Sequence, residues 1–209
     1  MTLRGLYAIT PDTTDSDALL RRVRALLPGR PAALQYRNKL AGATQRRAEA
    51  GALADLCRRH GVPLIVNDDV ELALEVDAAG AHLGRDDGTL PAARARLGTR
   101  LIGASCYGSL ERARSAVAQG ADYVAFGSVF ASPTKPAAVR APLALFAASR
   151  ALGVPRVAIG GITLDNAPAL IAAGADCVAV ISALFDAPDA AATARAFAQL
   201  FDRQQTVPA

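Results

Sequence analysis

Arg37 and Lys39 stand two residues apart in "QYRNK", and Lys135 stands between Pro133 and Pro136 in "SPTKP". Such cations suit a small polyanion, arginine as a planar fork and lysine as a compact charge. Two acidic pairs, Asp68 with Asp69 in "NDD" and Asp86 with Asp87 in "GRDD", offer the oxygen donors that a hard dication prefers. No cluster of His and Cys competes for a softer metal. The amides of Gln35 and Asn67, the hydroxyls of Ser105, Ser132, Thr134 and Ser182, and the Gly160 and Gly161 pair complete a set suited to a phosphorylated ligand.

Taken singly, each motif also has a structural use. "QYRNK" suits an edge or loop, "NDD" can cap a helix that begins at Val70, and "GRDDG" is an ordinary turn. "AIGG" and "VIS" are tight turns in which glycine can serve packing alone. His60, before Gly61, reads as a cap at a helix end, and His82, inside an apolar run, reads as packing around the site rather than as a base. What distinguishes the readings is where the chain places these residues together.

Short apolar runs alternate along the chain with helical patterns of about a dozen residues. The strands are "LYAIT", "AALQYR", "PLIVN", "GAHLG", "RLIGAS", "DYVAFG", "RVAIGG" and "CVAVIS". The helices are expected over 15–27, 44–59, 70–79, 90–97, 109–118, 142–152, 164–173 and 188–201. Strands apolar on both faces need cover on both, and right-handed crossovers joining eight βα units close into a (β/α)8 TIM barrel. An open doubly wound sheet fits less well, because no dinucleotide glycine fingerprint follows the first strand. The phrases "AAGAH", "AQGAD" and "AAGAD" recur, and Gly80, Gly120 and Gly174 are expected as left-handed helix caps. In a barrel, chemistry sits past the carboxyl ends of the strands, and there lie the residues named above. The expectation is one α/β domain over 1–209, with barrel units at about 5–201 and a short tail at 202–209.

Composition narrows the remaining classes. The 209 residues contain no apolar run long enough for a bilayer, and "MTLRGLYAITPD" lacks the features of a secretory signal, so a cytoplasmic location is expected. Cys57, Cys106 and Cys177 match neither a disulfide framework nor a zinc pattern and read as reduced core thiols. A charge of +4 comes with arginines scattered through "LLRRVRALL" and "AARARL", which are solvated helix faces rather than a nucleic-acid tract. Partners are therefore small molecules, with neither nucleic acid nor membrane, and a homo-oligomer stays open.

In order along the chain, "QYRNK", "NDD", "HLGRDD", "GAS", "SPTKP", "AIGGI" and "AVIS" resemble the thiamine-phosphate synthase family, a match that runs from "LYAIT" to "VIS". The resemblance implies a TIM-barrel transferase of thiamine biosynthesis. It would join 4-amino-2-methyl-5-hydroxymethylpyrimidine diphosphate to 4-methyl-5-(2-phosphoethyl)thiazole, with Mg2+, releasing pyrophosphate. It makes Asp68 and Asp87 the metal ligands. Arg37, Lys39 and Lys135 become the diphosphate cations, Gln35 and Asn67 hydrogen-bond the diphosphate or pyrimidine, and Ser105 donates to the pyrimidine diphosphate. Ser132 and Thr134 lie near the thiazole phosphate and leaving group, with backbone N–H groups around Gly160, Gly161, Ile181 and Ser182 cradling that phosphate. Lys135, Ser105, Arg37 and Lys39 are thus the expected catalytic residues. Two positions depart: Asp69 stands where many members carry Arg, and Ser132 where Thr is common. A related barrel that isomerises a thiazole carboxylate phosphate shares the phosphate loops but has no need of the "QYRNK" and "SPTKP" cations. A non-catalytic phosphate-binding barrel is the rival from another class.

Overall fold

A computed structural model describes residues 3–131 and 140–203. Strands β1 (Gly5–Ile9), β2 (Ala33–Tyr36), β3 (Leu64–Asn67), β4 (Gly80–Leu83), β5 (Leu101–Tyr107), β6 (Tyr123–Gly127), β7 (Arg156–Ile159) and β8 (Cys177–Val180) pair in parallel in sequence order. β8 returns to β1, so the sheet closes. Successive side chains point to opposite faces. Tyr7, Ile9, Ala33, Ile65, Tyr123, Val157, Cys177 and Ala179 therefore fill the barrel, while Leu6, Ala8, Leu34, Val66, Val124, Phe126 and Val178 meet the helices. This double burial is why the strands read as continuous apolar runs.

The helices are α1 (Ser16–Leu26), α2 (Ala43–His60), α3 (Val70–Glu75), α4 (Leu90–Leu97), α5 (Leu110–Ala118), α6 (Ala144–Ala148), α7 (Ala167–Ala172), α8 (Ser182–Phe185) and α9 (Ala190–Arg203). Asp15, Asp69, Thr89 and Ser109 each cap a helix by accepting from the N–H three residues on. The α/β class and the closed eight-strand barrel are as the sequence predicts. All three cysteines are free and buried, and no helix among the described residues is long and apolar enough to cross a membrane.

Four details differ. Gly120 and Gly174 take positive φ at their helix ends, but Gly80 does not; it opens β4, where an added Cβ would lie 1.9 Å from the Leu101 carbonyl oxygen. The left-handed residue after α3 is Asp77 (φ 53°), and Ala78 bonds back to Ala73 as Ala121 does to Ala116 and Ala175 to Leu170. The true repeat is thus offset by three positions from the repeated letters, and α3 stops at Glu75 rather than running on to residue 79. The expected helix over 142–152 is α6 followed by a separate 3-10 turn, Arg150–Leu152. A short extra helix, α8, follows β8 directly.

Candidate active site

The segment past β2 is tied down from both sides. Buried Thr10 accepts from the Arg37 N–H at 2.8 Å and donates to the Arg37 carbonyl at 2.7 Å. Asp12, just past β1, accepts from Arg37 Nη1 at 2.7 Å and from the Lys39 N–H at 2.6 Å. Burial raises the pKa of Asp12, but these donors outweigh it and hold the carboxyl below its usual range. Buried Glu49 of α2 accepts from Ser16, Tyr36, Asn38 and Gln45, tying α2 to α1 and to the loop after β2. Above this framework lies a cavity of about 270 Å³ whose walls include Arg37, Asn38, Lys39, Arg46, Asn67 and Asp68. Lys39 Nζ is 3.6 Å from Asp68 Oδ2, and Arg46 Nη2 is 3.0 Å from Asp69 Oδ2.

Asp68 takes a left-handed backbone (φ 64°), which aspartate tolerates better than most residues, and its N–H donates to the His82 carbonyl at 2.8 Å. That step across to β4 brings its carboxyl against Asp87. Burial first, then the neighbouring Asp87 carboxylate, push the Asp68 pKa up in spite of Lys39. Asp87 is held by the Gly84 N–H at 2.8 Å, where an added Cβ would sit 2.7 Å from the accepting oxygen. Two carboxyl groups drawn together beside a polar cavity fit magnesium, a hard ion that commonly takes one or two carboxylates and fills its shell with phosphate oxygens and water. Asp69 does not join them: its oxygens go to the Leu72 N–H at 2.9 Å and to Arg46. Asp86 is exposed.

Inside the barrel a hydrogen-bonded chain crosses from β2 to β5. Gln35 Nε2 donates to Tyr7 OH at 3.1 Å; Tyr7 OH meets Tyr123 OH at 2.7 Å; Tyr123 OH meets His82 Nδ1 at 3.2 Å; and His82 Nε2 meets Ser105 Oγ at 2.9 Å. Burial pulls the His82 pKa down to about 4, so the ring is neutral, with one donor and one acceptor nitrogen. The assignment that satisfies every group runs one way: Gln35 to Tyr7, Tyr7 to Tyr123, Tyr123 to His82 Nδ1, and His82 Nε2–H to Ser105. The Ser105 hydroxyl proton is then free to meet a ligand. His82 thus packs around the site, whereas His60 is the exposed last residue of α2 before left-handed Gly61.

Across the rim, Gly160 (φ 111°) and Gly161 (φ 62°) follow β7. A Cβ on Gly160 would lie 2.4 Å from Ser128 Oγ, and one on Gly161 2.3 Å from the Ala131 carbonyl oxygen, so only glycine permits both the backbone and the close approach. Ile181 is the N-cap of α8 and Ser182 its first residue. Ser132, Thr134 and Lys135 lie outside the described residues.

Arg37, Lys39, Asn67 and Asp68 therefore meet on the cavity walls, with Asp87 against Asp68. Gln35 and Ser105 end the hydrogen-bonded chain inside the barrel, Ser105 also lining a second cavity with Gly84 and Arg85, and Gly160, Gly161, Ile181 and Ser182 lie at the ends of β7 and β8. Asp12, Arg46, Tyr7 and Tyr123 escaped the sequence reading. Asp12 follows the first strand as the other rim residues follow theirs, which is signal enough to find it. Arg46 looks like any solvated helix arginine until α2 is placed.

The thiamine monophosphate synthase family matches residues 6–184. A thiamine-phosphate synthase of Methylobacillus flagellatus is 60% identical over 201 residues, covering 96% of each chain. One of Aromatoleum aromaticum is 58% identical, covering 96% of this chain and 97% of the relative. Among solved structures, thiamine phosphate pyrophosphorylase from Pyrococcus furiosus superposes with a TM-score of 0.86 at 34% identity over 97% of both chains. A 3-hexulose-6-phosphate synthase at 20% identity and TM-score 0.68 shares the fold alone. With its barrel, its rim chemistry and these likenesses together, the chain belongs to the thiamine monophosphate synthase family and is a transferase of thiamine biosynthesis.

Proposed function

We propose that the chain joins the pyrimidine diphosphate to the thiazole phosphate, forming thiamine monophosphate and releasing pyrophosphate, with the diphosphate seated in the cavity beside Asp68 and Asp87. The observation that carries this reading is the set of cations on the cavity walls, Arg37, Lys39 and Arg46, gathered beside the paired carboxyl groups of Asp68 and Asp87. Arg37 and Lys39 hold the diphosphate and stabilise charge as it gathers on the leaving group. Fixed cations at a developing anion are typically the largest single contribution to such a step. Asn67, at the end of β3, hydrogen-bonds the diphosphate or pyrimidine from the cavity wall, while Gln35 anchors the chain inside the barrel that presents the Ser105 hydroxyl to the pyrimidine diphosphate. Asp68 and Asp87 would hold magnesium, which would supply positive charge to the diphosphate.

The carbon–oxygen bond to the diphosphate breaks first, its electron pair leaving with pyrophosphate, and the pyrimidine spreads the positive charge left on the methylene carbon. The thiazole nitrogen then donates its pair to that carbon. Backbone N–H groups around Gly160, Gly161, Ile181 and Ser182 hold the thiazole phosphate, in keeping with the usual phosphate site of this fold past strands seven and eight. Lys135 adds its charge on the leaving-group side, and the Ser132 and Thr134 hydroxyls serve the thiazole phosphate and the leaving group. Because both substrates are phosphorylated and do not cross membranes unaided, we place the reaction in the cytoplasm. The test is pyrophosphate release from purified chain with both substrates and magnesium. Formation of equimolar thiamine monophosphate supports the reading; no release in the presence of both substrates and metal sinks it.

A further inference from the structure

We infer that Arg46 is a further cation of the diphosphate subsite, beside Arg37 and Lys39 and aimed by Asp69; the inference rests on the reading that this cavity seats the diphosphate. Arg46 lies in the first turns of α2, away from the strand ends that supply Arg37, Lys39 and Asn67, yet it shares the cavity wall with them. Its placement is built rather than incidental. Glu49, one turn further along α2, anchors the helix through four side-chain donors. Asp69 is immobilised by capping α3, accepting from Leu72 N–H at 2.9 Å, and with its other oxygen it takes Arg46 Nη2 at 3.0 Å.

An arginine carries five N–H donors in a rigid fork. Asp69 engages Nη2, and among the described residues Nε and Nη1 of Arg46 donate to no protein acceptor. The side chains of Arg46 and Asp69 stay 33% and 34% exposed, so a ligand entering the cavity reaches the guanidinium without unfolding anything. A partly exposed ion pair contributes modestly to stability, and the donors that Asp69 leaves unused are available to a ligand in the cavity. Asp69 is a positioning residue that acts by holding the plane of the fork. Its carboxylate, spent on the cap and on Arg46, is no metal ligand.

The test measures Arg46→Ala, Arg46→Lys and Asp69→Asn beside the unmodified chain, using steady-state kinetics, thermal melting and binding of magnesium pyrophosphate by calorimetry. Loss of one charge-assisted contact to a phosphate should raise KM for the pyrimidine diphosphate, and weaken pyrophosphate binding, by about tenfold in Arg46→Ala. Arg46→Lys should recover part of the loss. Asp69→Asn keeps a capping side chain; it should raise the same KM by a smaller factor, and have no further effect when combined with Arg46→Ala. KM for the thiazole phosphate and the melting temperature should not move. Unchanged pyrophosphate binding in Arg46→Ala, or a lower melting temperature without a change in that KM, overturns the inference and leaves a clamp between α2 and α3. Failure of the unmodified chain to release pyrophosphate instead overturns the underlying reading, so the two failures are distinct.

Discussion

The two ends of the barrel use the same residue types in opposite ways. Below the strands, Arg156 gives Nε and Nη2 to Asp176 at 2.8 and 3.2 Å and Nη1 to the Phe146 carbonyl at 3.0 Å, while Asp176 also accepts from the Arg156 N–H at 2.9 Å. Arg94 spends its terminal nitrogens on the Gly98, Arg100 and Gly120 carbonyls and on Asp122. Each guanidinium there closes a turn that feeds a strand. Above the strands, Arg37 and Arg46 each donate to one carboxylate, and Lys39 Nζ stands beside one. A cation whose donors are used up by backbone is part of the scaffold; one with donors to spare is ready for a ligand. The distinction lies in the number of partners, which residue type alone does not reveal.

The comparison breaks most visibly if the upper end works without metal. Chelation should abolish thiamine monophosphate formation and magnesium or manganese should restore it, with Asp68→Asn and Asp87→Asn each raising the magnesium requirement more than KM for the thiazole phosphate. Turnover by fully chelated protein would show that the cations suffice. Next in size, Lys135→Ala should lower kcat by about 100-fold or more, the usual scale for one preorganised electrostatic group, without shifting the melting curve. Near-normal kcat would remove "SPTKP" from the chemistry.

At the lower end the effects should fall on stability alone. Arg156→Ala leaves Asp176 short of its ion partner and should cost about 2–3 kcal/mol in denaturant unfolding, with KM for both substrates unchanged. Altered KM would mean that the ends are coupled. Asp68→Asn should behave in the reverse sense. The Asp68 pKa is raised in the fold, so its charged form is a penalty at neutral pH that is relieved as pH falls through the folded pKa. Removing that charge should raise the metal-free stability by up to about 1 kcal/mol while activity falls. A lower melting temperature would show that Lys39 needs Asp68 for folding.

The smallest effect separates framework from site within the upper end. Burial raises the Glu49 pKa, but bonds from Ser16, Asn38, Tyr36 and Gln45 outweigh it and hold the carboxyl below its usual range. Its stabilisation is therefore full above the ordinary carboxylate range and is lost as pH falls through the depressed folded value. Glu49→Gln should flatten the acid side of the stability profile by about 1 kcal/mol and lower stability at neutral pH. An unchanged profile would remove Glu49 as the anchor of α2.

Periodicity and motif order determined much of this protein before any coordinate. Alternation of buried runs with helical patterns specifies the eight βα units, because strands covered on both faces have no polar side to show. The rule that chemistry follows the strand ends then places Gln35, Arg37, Lys39, Asn67, Asp68, Asp87 and Ser105 at one rim. Tertiary structure decided what local pattern cannot encode. Repeated letters put a turn at Gly80, but the neighbouring Leu101 carbonyl requires glycine there for close strand approach, and Asp77 makes the turn instead. Asp69 reads equally as a metal ligand, a vacant cation position or a cap until α2 brings Arg46 beside it. The direction of the chain from Gln35 to Ser105 spans β2, β1, β6, β4 and β5, residues far apart in sequence. Only closure of the barrel makes them neighbours, because their contacts arise from the sheet's curvature and not from any spacing along the chain.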